Sequence, residues 1–316
     1  MSMDGVQIKD LKDGMICDGT YILKEVDVKK TAAGKTYIDM TLMDNTGEIN
    51  AKDWNGNQTT VSRLVQGKLH RVNSKVALWQ GSLQMNINSI NLSDEQTQNR
   101  ISEFVPSAPI PPEEMFEMVR AFIDSIGNED MKKLVKSIYN VNADKLKYYP
   151  AAKALHHAIR GGLLYHILTM LQTAKKLKEV YYEIDLDLLY TGVLLHDIMK
   201  LRELDSNEVG IAEYSIEGQL IGHIEMGISL IDEKAKELNL NKNVTLLIKH
   251  MILSHHYLPE HGSPKSPMFL EAELLHFIDL IDARVYDFNQ CYNTIMPGEV
   301  TDKIWSLDRR IYRPDY

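Results

Sequence analysis

Leu194-Leu195-His196-Asp197-Ile198-Met199-Lys200 is an apolar run that ends in a His-Asp pair and is trailed by a lysine. On a helix, adjacent residues point about 100° apart, so an imidazole and a carboxylate side by side reach neighbouring points of one pocket. Neutral imidazole and carboxylate together suit Zn, Mn or Fe, and a carboxylate can bridge two ions. A His-Asp dipeptide also arises by chance, so its meaning rests on what surrounds it.

The surrounding sequence repeats the same donors. His166 closes Gly161-Gly162-Leu163-Leu164-Tyr165-His166. His223 lies in Leu220-Ile221-Gly222-His223-Ile224, and His255-His256 follow Ile252-Leu253-Ser254. Asp279 lies in His276-Phe277-Ile278-Asp279-Leu280-Ile281-Asp282. Each sits in or beside apolar sequence of helical period. Bringing a polar group into a core costs several kcal/mol unless it is paired or ligates a metal. One such histidine reads as a satisfied core residue. Five of them with two aspartates, on successive helices, read as a metal-ligating constellation.

The helical period begins at Pro112. It predicts helices over 113–126 and 128–140, one or two short helices over 143–158, and a long amphipathic helix over 162–180. A further helix, capped by Asp185 or Asp187, ends near Lys200, and others cover 215–238, 243–257 and 268–292. The C-terminal part is therefore expected to be all-α.

The N-terminal part differs. Strands are expected over 15–28, 34–43, 48–54, 67–79 and 83–92, with turns at Asp44-Asn45-Thr46-Gly47 and Gln80-Gly81-Ser82 and a short helix over 58–65. Five strands with a helix between the third and fourth is the order of an OB-fold barrel; an SH3-like barrel has a similar pattern. OB barrels bind single strands by stacking bases on aromatic rings and holding phosphates with Lys or Arg. Tyr37, Trp54 and Trp79 are candidate rings, with Lys35, Lys52, Arg71 and Lys75 as candidate cations; the same aromatics can instead pack the barrel. Between the two parts, residues 93–112 are polar and then proline-rich, with Pro106, Pro109, Pro111 and Pro112. The expected organisation is an all-β OB-fold domain over 1–92, a linker over 93–112 and an all-α domain over 113–316.

Composition bounds the function. The 316 residues are 44% hydrophobic, enough for a core, and no apolar run approaches the roughly 20 residues that cross a bilayer. Residues 1–13 are polar and acidic and do not read as a signal peptide. Cys17 and Cys291 form no motif and imply reduced thiols in a cytoplasmic protein. The net charge is −9, unevenly spread: residues 1–92 hold 11 Lys+Arg against 10 Asp+Glu, the remainder 24 against 34. Bound divalent cations would offset part of that acidity, so a nucleic-acid substrate is compatible with it. Of 11 histidines, only His70 precedes residue 150.

The order His … His-Asp … His … His-His … Asp over residues 155–285 resembles the HD superfamily of metal-dependent phosphohydrolases, in the version with ligands for two metals. The phrases His156-His157-Ala-Ile-Arg160, Leu194 to Lys200, Glu217-Gly-Gln-Leu-Ile-Gly-His223, Met251-Ile-Leu-Ser-His-His256, Gly262-Ser-Pro-Lys265 and Trp305-Ser-Leu-Asp-Arg-Arg-Ile-Tyr312 resemble, more narrowly, YhaM-type 3′→5′ exoribonucleases of Gram-positive bacteria. Those enzymes join an OB-fold to an HD domain. Met199 departs from the glycine usual before the lysine. The resemblance implies two divalent ions, with Mn²⁺ favoured over Co²⁺, Fe²⁺ or Zn²⁺. It implies Asp197 as the bridging carboxylate, His166, His196 and Asp279 around one ion, and His223, His255 and His256 around the other.

Hydrolysis of a phosphodiester needs an activated water and neutralisation of the phosphate, which two ions supply. Lys200, at i,i+4 from His196, is a candidate phosphate contact or a solvated lysine at a helix end. His157 and Arg160 are further candidates for phosphate or water. Asp282 is either a ligand in place of Asp279 or a partner that orients an imidazole. Arg284 and Lys265 are weaker phosphate candidates, and His250, His261 and His276 read as structural or exposed. The expected function is a 3′→5′ exoribonuclease on single-stranded RNA, with single-stranded DNA as a further substrate, no membrane partner and a homo-oligomeric state. One alternative is an HD phosphodiesterase or nucleotidase for a small nucleotide; the Gly-Tyr-Pro tripeptide of cyclic-di-GMP hydrolases is absent. The other is a non-catalytic single-strand-binding protein.

Overall fold

The computed structural model describes residues 5–31, 33–56, 58–153 and 157–316, without the side chains of 58 and 59. His156 therefore lies outside the described residues. The chain divides into two compact units, residues 1–107 and 108–316.

The first unit is a closed barrel of β1 (Ile16–Lys30), β2 (Thr36–Asp44), β3 (Gly47–Asp53), β4 (Leu69–Trp79) and β5 (Ser82–Leu92), with α1 (Gln58–Val61) between β3 and β4. The strand order is β1-β2-β3-β5-β4, closed by antiparallel pairing of β1 with β4; only β3 and β5 run parallel. This is the OB-fold barrel expected from the strand order. Alternation sets its two faces: in β4, Val72, Ser74 and Val76 point inward while Arg71 and Lys75 point out. Tyr21, Leu23, Met40, Leu42, Val72, Val76 and Met85 fill the interior. The β2–β3 turn is fixed by Asp44, whose Oδ1 accepts from Thr46 N at 2.7 Å.

The polar segment after β5, expected as a linker, carries a short helix, α2 (Glu95–Gln98), capped by Asp94. The Gln98 side chain accepts from Leu69 N (3.0 Å) and donates to Leu69 O (2.7 Å), in the manner of a neighbouring strand. Phe104 and Val105 are buried. These contacts hold residues 93–107 on the barrel.

The second unit contains α3 (Pro112–Ser125), α4 (Glu129–Leu146), α5 (Gly162–Val180), α6 (Leu186–Leu195), α7 (Lys200–Glu203), α8 (Ile216–Leu220), α9 (His223–Glu237), α10 (Lys242–Ser254) and α11 (Leu270–Thr294). A two-stranded hairpin, β6 (Leu204–Ser206) and β7 (Ala212–Tyr214), interrupts the expected all-α pattern. Its loop is organised by Asn207 Oδ1, which accepts from Val209 N and Ile211 N. Helix α4 runs on to Leu146, where Pro150 then disfavours helix in the residue before it, so the helices expected over 143–158 give way to turns over 147–153.

Helix α6 is the hub. Every residue from Leu188 to Leu195 is buried, and the helix packs against α4, α5, α10 and α11. A helix apolar on all sides belongs in the interior, and each fully buried Leu or Val contributes about 1.5–3 kcal/mol. Asp185 supplies its N-cap, accepting from Leu188 N. Asp187 instead accepts from Gly127 N and Asn128 N. The helix stops at Leu195 rather than near Lys200 because its last carbonyls find other donors. Gly192 O still accepts the helical bond from His196 N, but Val193 O takes His196 Nδ1, Leu194 O takes Tyr139 Oη, and Leu195 O takes Ile198 N. His196 and Asp197 thus emerge at the end of the most buried helix of the unit.

The helix expected over 215–238 is broken in two. Gly222, at φ +82°, separates α8 from α9 and makes His223 the first residue of a new helix.

Candidate metal centre and nucleic-acid face

Five imidazoles and two carboxylates meet here: His166 from the start of α5, His196 and Asp197 after α6, His223 at the start of α9, His255 and His256 after α10, and Asp279 from within α11. Asp197 is central. Its Oδ2 lies 3.4 Å from His196 Nε2 and 3.9 Å from His166 Nε2; its Oδ1 lies 3.3 Å from His223 Nε2 and 3.9 Å from His255 Nε2. His166 Nε2 is also 3.4 Å from His196 Nε2 and 3.4 Å from Asp279 Oδ1. His256 stacks beside His255, ring centroids 4.1 Å apart, and faces His223 at 5.3 Å. The donors therefore fall into two sets, one on each oxygen of Asp197.

The other nitrogen of each ring is committed. Nδ1 of His196, His255 and His256 donates to the carbonyls of Val193 (2.9 Å), Ile252 (2.8 Å) and His261 (2.7 Å). Nδ1 of His166 donates to Asp282 (2.7 Å) and that of His223 to Glu203 (3.0 Å). A carbonyl accepts only from N–H, so each neutral ring presents a bare Nε2 lone pair to the centre. Asp197 Oδ1, His223 Nε2 and His255 Nε2 are buried without a hydrogen bond. Lone pairs facing one another at 3.3–3.9 Å are held apart from any donor, an arrangement that a cation between them resolves. Donors bound to one divalent ion at about 2.1 Å lie roughly 3.0–3.4 Å from each other, close to these spacings. The residues present fit a divalent metal.

The charges agree. Burial would raise the Asp197 carboxyl, but Lys200, His196 and His223 hold it well below the usual range. Burial pushes His255 and His256 down, favouring the neutral, ligating form. His166 is the exception: burial would lower it, yet Asp279 and Asp282 push it up to about 9. Lys200 Nζ sits 2.7 Å from Asp197 Oδ2. Burial disfavours its charge, and Asp197 more than restores it.

Asp282 proves to lie behind His166: its Oδ2 accepts from His166 Nδ1 and from His157 Nε2, each at 2.7 Å. It orients the imidazole, while Asp279 faces the centre. His157 is held there by a close backbone approach: a Cβ on Gly162 would come 2.0 Å from the His157 carbonyl. His157 is buried against Asp282, and Arg160 donates Nε to Glu208 O at 2.8 Å. Lys265 is not on the pocket wall, and Arg284 donates to Ser306 O.

Sequence reasoning missed Glu203. Its Oε1 takes both His223 Nδ1 and, at 3.1 Å, His223 N, so one carboxylate caps α9 and orients a ring. A carboxylate near an HD pair was the available signal, and an unspecific one. A cavity of about 450 Å³ opens over the centre, lined by Asp197, Lys200, His255, His256, His261, His276, Asp279, Leu280 and Ala283. Helix α11 supplies its part of this wall at positions 276, 279, 280 and 283, one helical face. His276 Nδ1 donates to His255 O at 2.8 Å and its ring stacks on Tyr257, centroids 4.9 Å apart. Tyr257 has φ +69°, a strained conformation for a non-glycine residue.

On the barrel, three of the candidate residues come together. The rings of Tyr37 and Trp54 lie 4.9 Å apart, with Lys52 Nζ 5.2 and 5.4 Å from their centroids. Trp54 donates Nε1 to Asn86 Oδ1 at 2.8 Å, and Lys75 is paired in register with Asn86. Lys35 lies in the β1–β2 loop and the exposed Trp79 at the β4–β5 turn. These are the β2–β3 face and the two loops with which OB barrels engage oligonucleotides. Arg71 is set apart, paired with Asp18 at 2.6 Å.

Comparison with known proteins gives one family model, HD domain, over residues 163–284, and a second, TraI_2, over residues 112–184, which stops short of the His-Asp pair. The chain is similar to the 3′-5′ exoribonuclease YhaM of Oceanobacillus iheyensis, 36% identical over 95% of this chain and 94% of that one. It is also similar to the 3′-5′ exoribonuclease YhaM of Bacillus subtilis, 34% identical over 94% of each. Among solved structures, the second OB-fold domain of replication protein A from Methanococcus maripaludis aligns with 28% of this chain and 95% of its own, at 16% identity and a TM-score of 0.24.

Proposed function

Because the chain belongs to the YhaM family of 3′-5′ exoribonucleases, we propose that it hydrolyses single-stranded RNA from the 3′ end by a two-metal mechanism, releasing nucleoside 5′-monophosphates. The observation that carries the mechanism is the division of donors about Asp197. His166, His196 and Asp279 would hold one ion, His223, His255 and His256 the other, with Asp197 between them. A mixed nitrogen and oxygen set favours Mn²⁺, with Co²⁺, Fe²⁺ and Zn²⁺ also suited, over Mg²⁺, which prefers oxygen alone. When bound, the ions supply an activated water and neutralise charge on the phosphate.

The chain's own residues do the rest. Lys200, beside Asp197 and on the cavity wall, donates to a non-bridging phosphate oxygen. His276 and His261 offer polar contacts to the sugar, and Leu280 and Ala283 an apolar wall for the base. A cavity of about 450 Å³ suits one terminal nucleotide. Tyr37, Lys52 and Trp54 on the barrel bind bases by stacking and phosphate by charge. That recognition is indifferent to the sugar, so single-stranded DNA is a further substrate. Among the described residues no helix is long and apolar enough to cross a membrane, and both cysteines are free and buried, which supports action in the cytoplasm.

The test uses 5′-labelled single-stranded RNA with Mn²⁺ or with EDTA. A Mn²⁺-dependent ladder shortening from the 3′ end, with mononucleotides released, is expected. Intact RNA under both conditions would sink the reading in favour of a small-nucleotide phosphohydrolase.

A further inference from the structure

The segment after α11 takes no part in the metal centre, yet it is ordered. Residues 299–313 form a hairpin closed by the bridges Val300–Tyr312 and Ile304–Arg309. Thr301 N donates to Ile311 O, and Arg313 N to Glu299 O. Cys291, Leu307 and Ile311, with Phe288 and Tyr292 beside them, make a small core that seats the hairpin on α11. At its tip stands Trp305, 84% exposed. A large aromatic left so open on a well-fixed turn gains nothing for folding.

Three arginines stand around it, beside an ion pair between Lys303 and Asp308. Arg309 lies over the Phe288 ring at 5.8 Å, Arg310 donates Nε to Thr301 O, and Arg284 donates Nη1 to Ser306 O at 3.2 Å. Among the described residues none of these three guanidiniums pairs with a carboxylate, in a chain of net charge −9. Each keeps N–H groups for an anion. Arg284 also fixes the position of the tip. It follows Ala283 of the cavity wall and stands five residues, about 7.5 Å along the helix axis, beyond Asp279.

We propose that this hairpin tip is a second site for single-stranded RNA, in which Trp305 stacks on a base and Arg284, Arg309 and Arg310 take phosphates close to the metal centre. The inference rests on the exoribonuclease reading for its ligand. The chemistry matches a strand more closely than a folded partner: one open ring, flanked in sequence by Ser306, Asp308 and Arg309, beside three guanidiniums that pair with no carboxylate among the described residues. The site holds the few nucleotides that precede the one being removed.

The experiment measures binding of a short fluorescein-labelled oligoadenylate to the full chain in EDTA, by anisotropy. Trp305→Ala should weaken binding about five-fold or more, and Trp305→Phe, which keeps a ring, should restore most of it. Arg309→Gln should lower the salt dependence of binding by roughly 0.7 in log–log slope. Equal affinities for wild type and Trp305→Ala would overturn the proposal. So would unchanged binding accompanied by a lower sedimentation coefficient in Trp305→Ala, which would assign the ring to contacts between copies of the chain. Hydrolysis of RNA by the wild type with no effect of Trp305 on binding removes this inference alone. Trp305-dependent binding without hydrolysis by the wild type would leave it standing and remove the catalytic reading.

Discussion

His166 donates Nδ1–H to Asp282 over 2.7 Å while the Nε2 of the same ring faces the metal centre. The carboxylate fixes which nitrogen carries the proton and which way the ring lies. Asp282→Asn keeps an acceptor but loses its charge, and the amide can turn its donor towards the ring. Metal affinity should fall about 10–100-fold, with secondary structure unchanged. Calorimetric titration of the metal-free protein with Mn²⁺ checks this; undiminished affinity would show that Asp282 does not orient the ligand.

Lys200 and Asp197 form a buried pair, Nζ to Oδ2 2.7 Å. In the metal-free protein, Lys200→Met leaves a buried carboxylate with less compensation, and stability should drop by about 3 kcal/mol. Mn²⁺ should recover that loss, because the ammonium no longer competes for Oδ2. Activity should stay low, with kcat down about 100-fold, if Lys200 stabilises charge on the phosphate. Chemical denaturation with and without Mn²⁺, beside steady-state kinetics, separates the two effects. Full kcat would remove the phosphate role.

Trp54 holds its indole against Tyr37 and Lys52 through the bond to Asn86. Trp54→Ala should weaken binding of single-stranded RNA by about 1–3 kcal/mol. The loss should appear in KM on long RNA more than in kcat. Unchanged KM would mean that the β2–β3 face packs the barrel and does not meet the strand.

His70 is wholly buried in the barrel, accepting at Nε2 from Val65 N (3.3 Å) and donating from Nδ1 to Lys68 O (3.0 Å). Burial pushes it below its usual value. The unfolded chain then takes up a proton that the folded barrel refuses. Stability should be fully present above about pH 6.5 and decline as pH falls below it, towards the lower folded value. His70→Gln should flatten that decline. Thermal unfolding of both proteins between neutral and mildly acidic pH gives the comparison; identical slopes would exclude His70 as the source.

The residues of the candidate metal centre stood out in the sequence because their chemistry is local. His196-Asp197, His255-His256 and Asp279 each stand in apolar helical sequence, where an unpaired polar group is costly. The barrel was legible because strand alternation and turn residues such as Asp44 and Gly47 are also local. What escaped depends on contacts distant in sequence. That His157 meets Asp282 is decided by a partner 125 positions away in sequence. Glu203 acquires its role only when α9 starts beside it, and α9 starts there because Gly222 breaks the helical pattern. Gln98 turns an apparent linker into part of the barrel through two bonds to Leu69. Period and composition carry none of these.

The carbonyls at the ends of α6 and α10 have a kinetic consequence. Val193 O and Ile252 O are groups that a terminating helix leaves without partners, and they lock His196 and His255 in place. The rings are therefore preorganised by the backbone itself, before any ion arrives. Loading should require little ordering of side chains, so its rate should follow how fast each ion sheds its water. Mn²⁺ should enter faster than the slowly dehydrating Mg²⁺, and the protein would discriminate between them in time as well as in affinity.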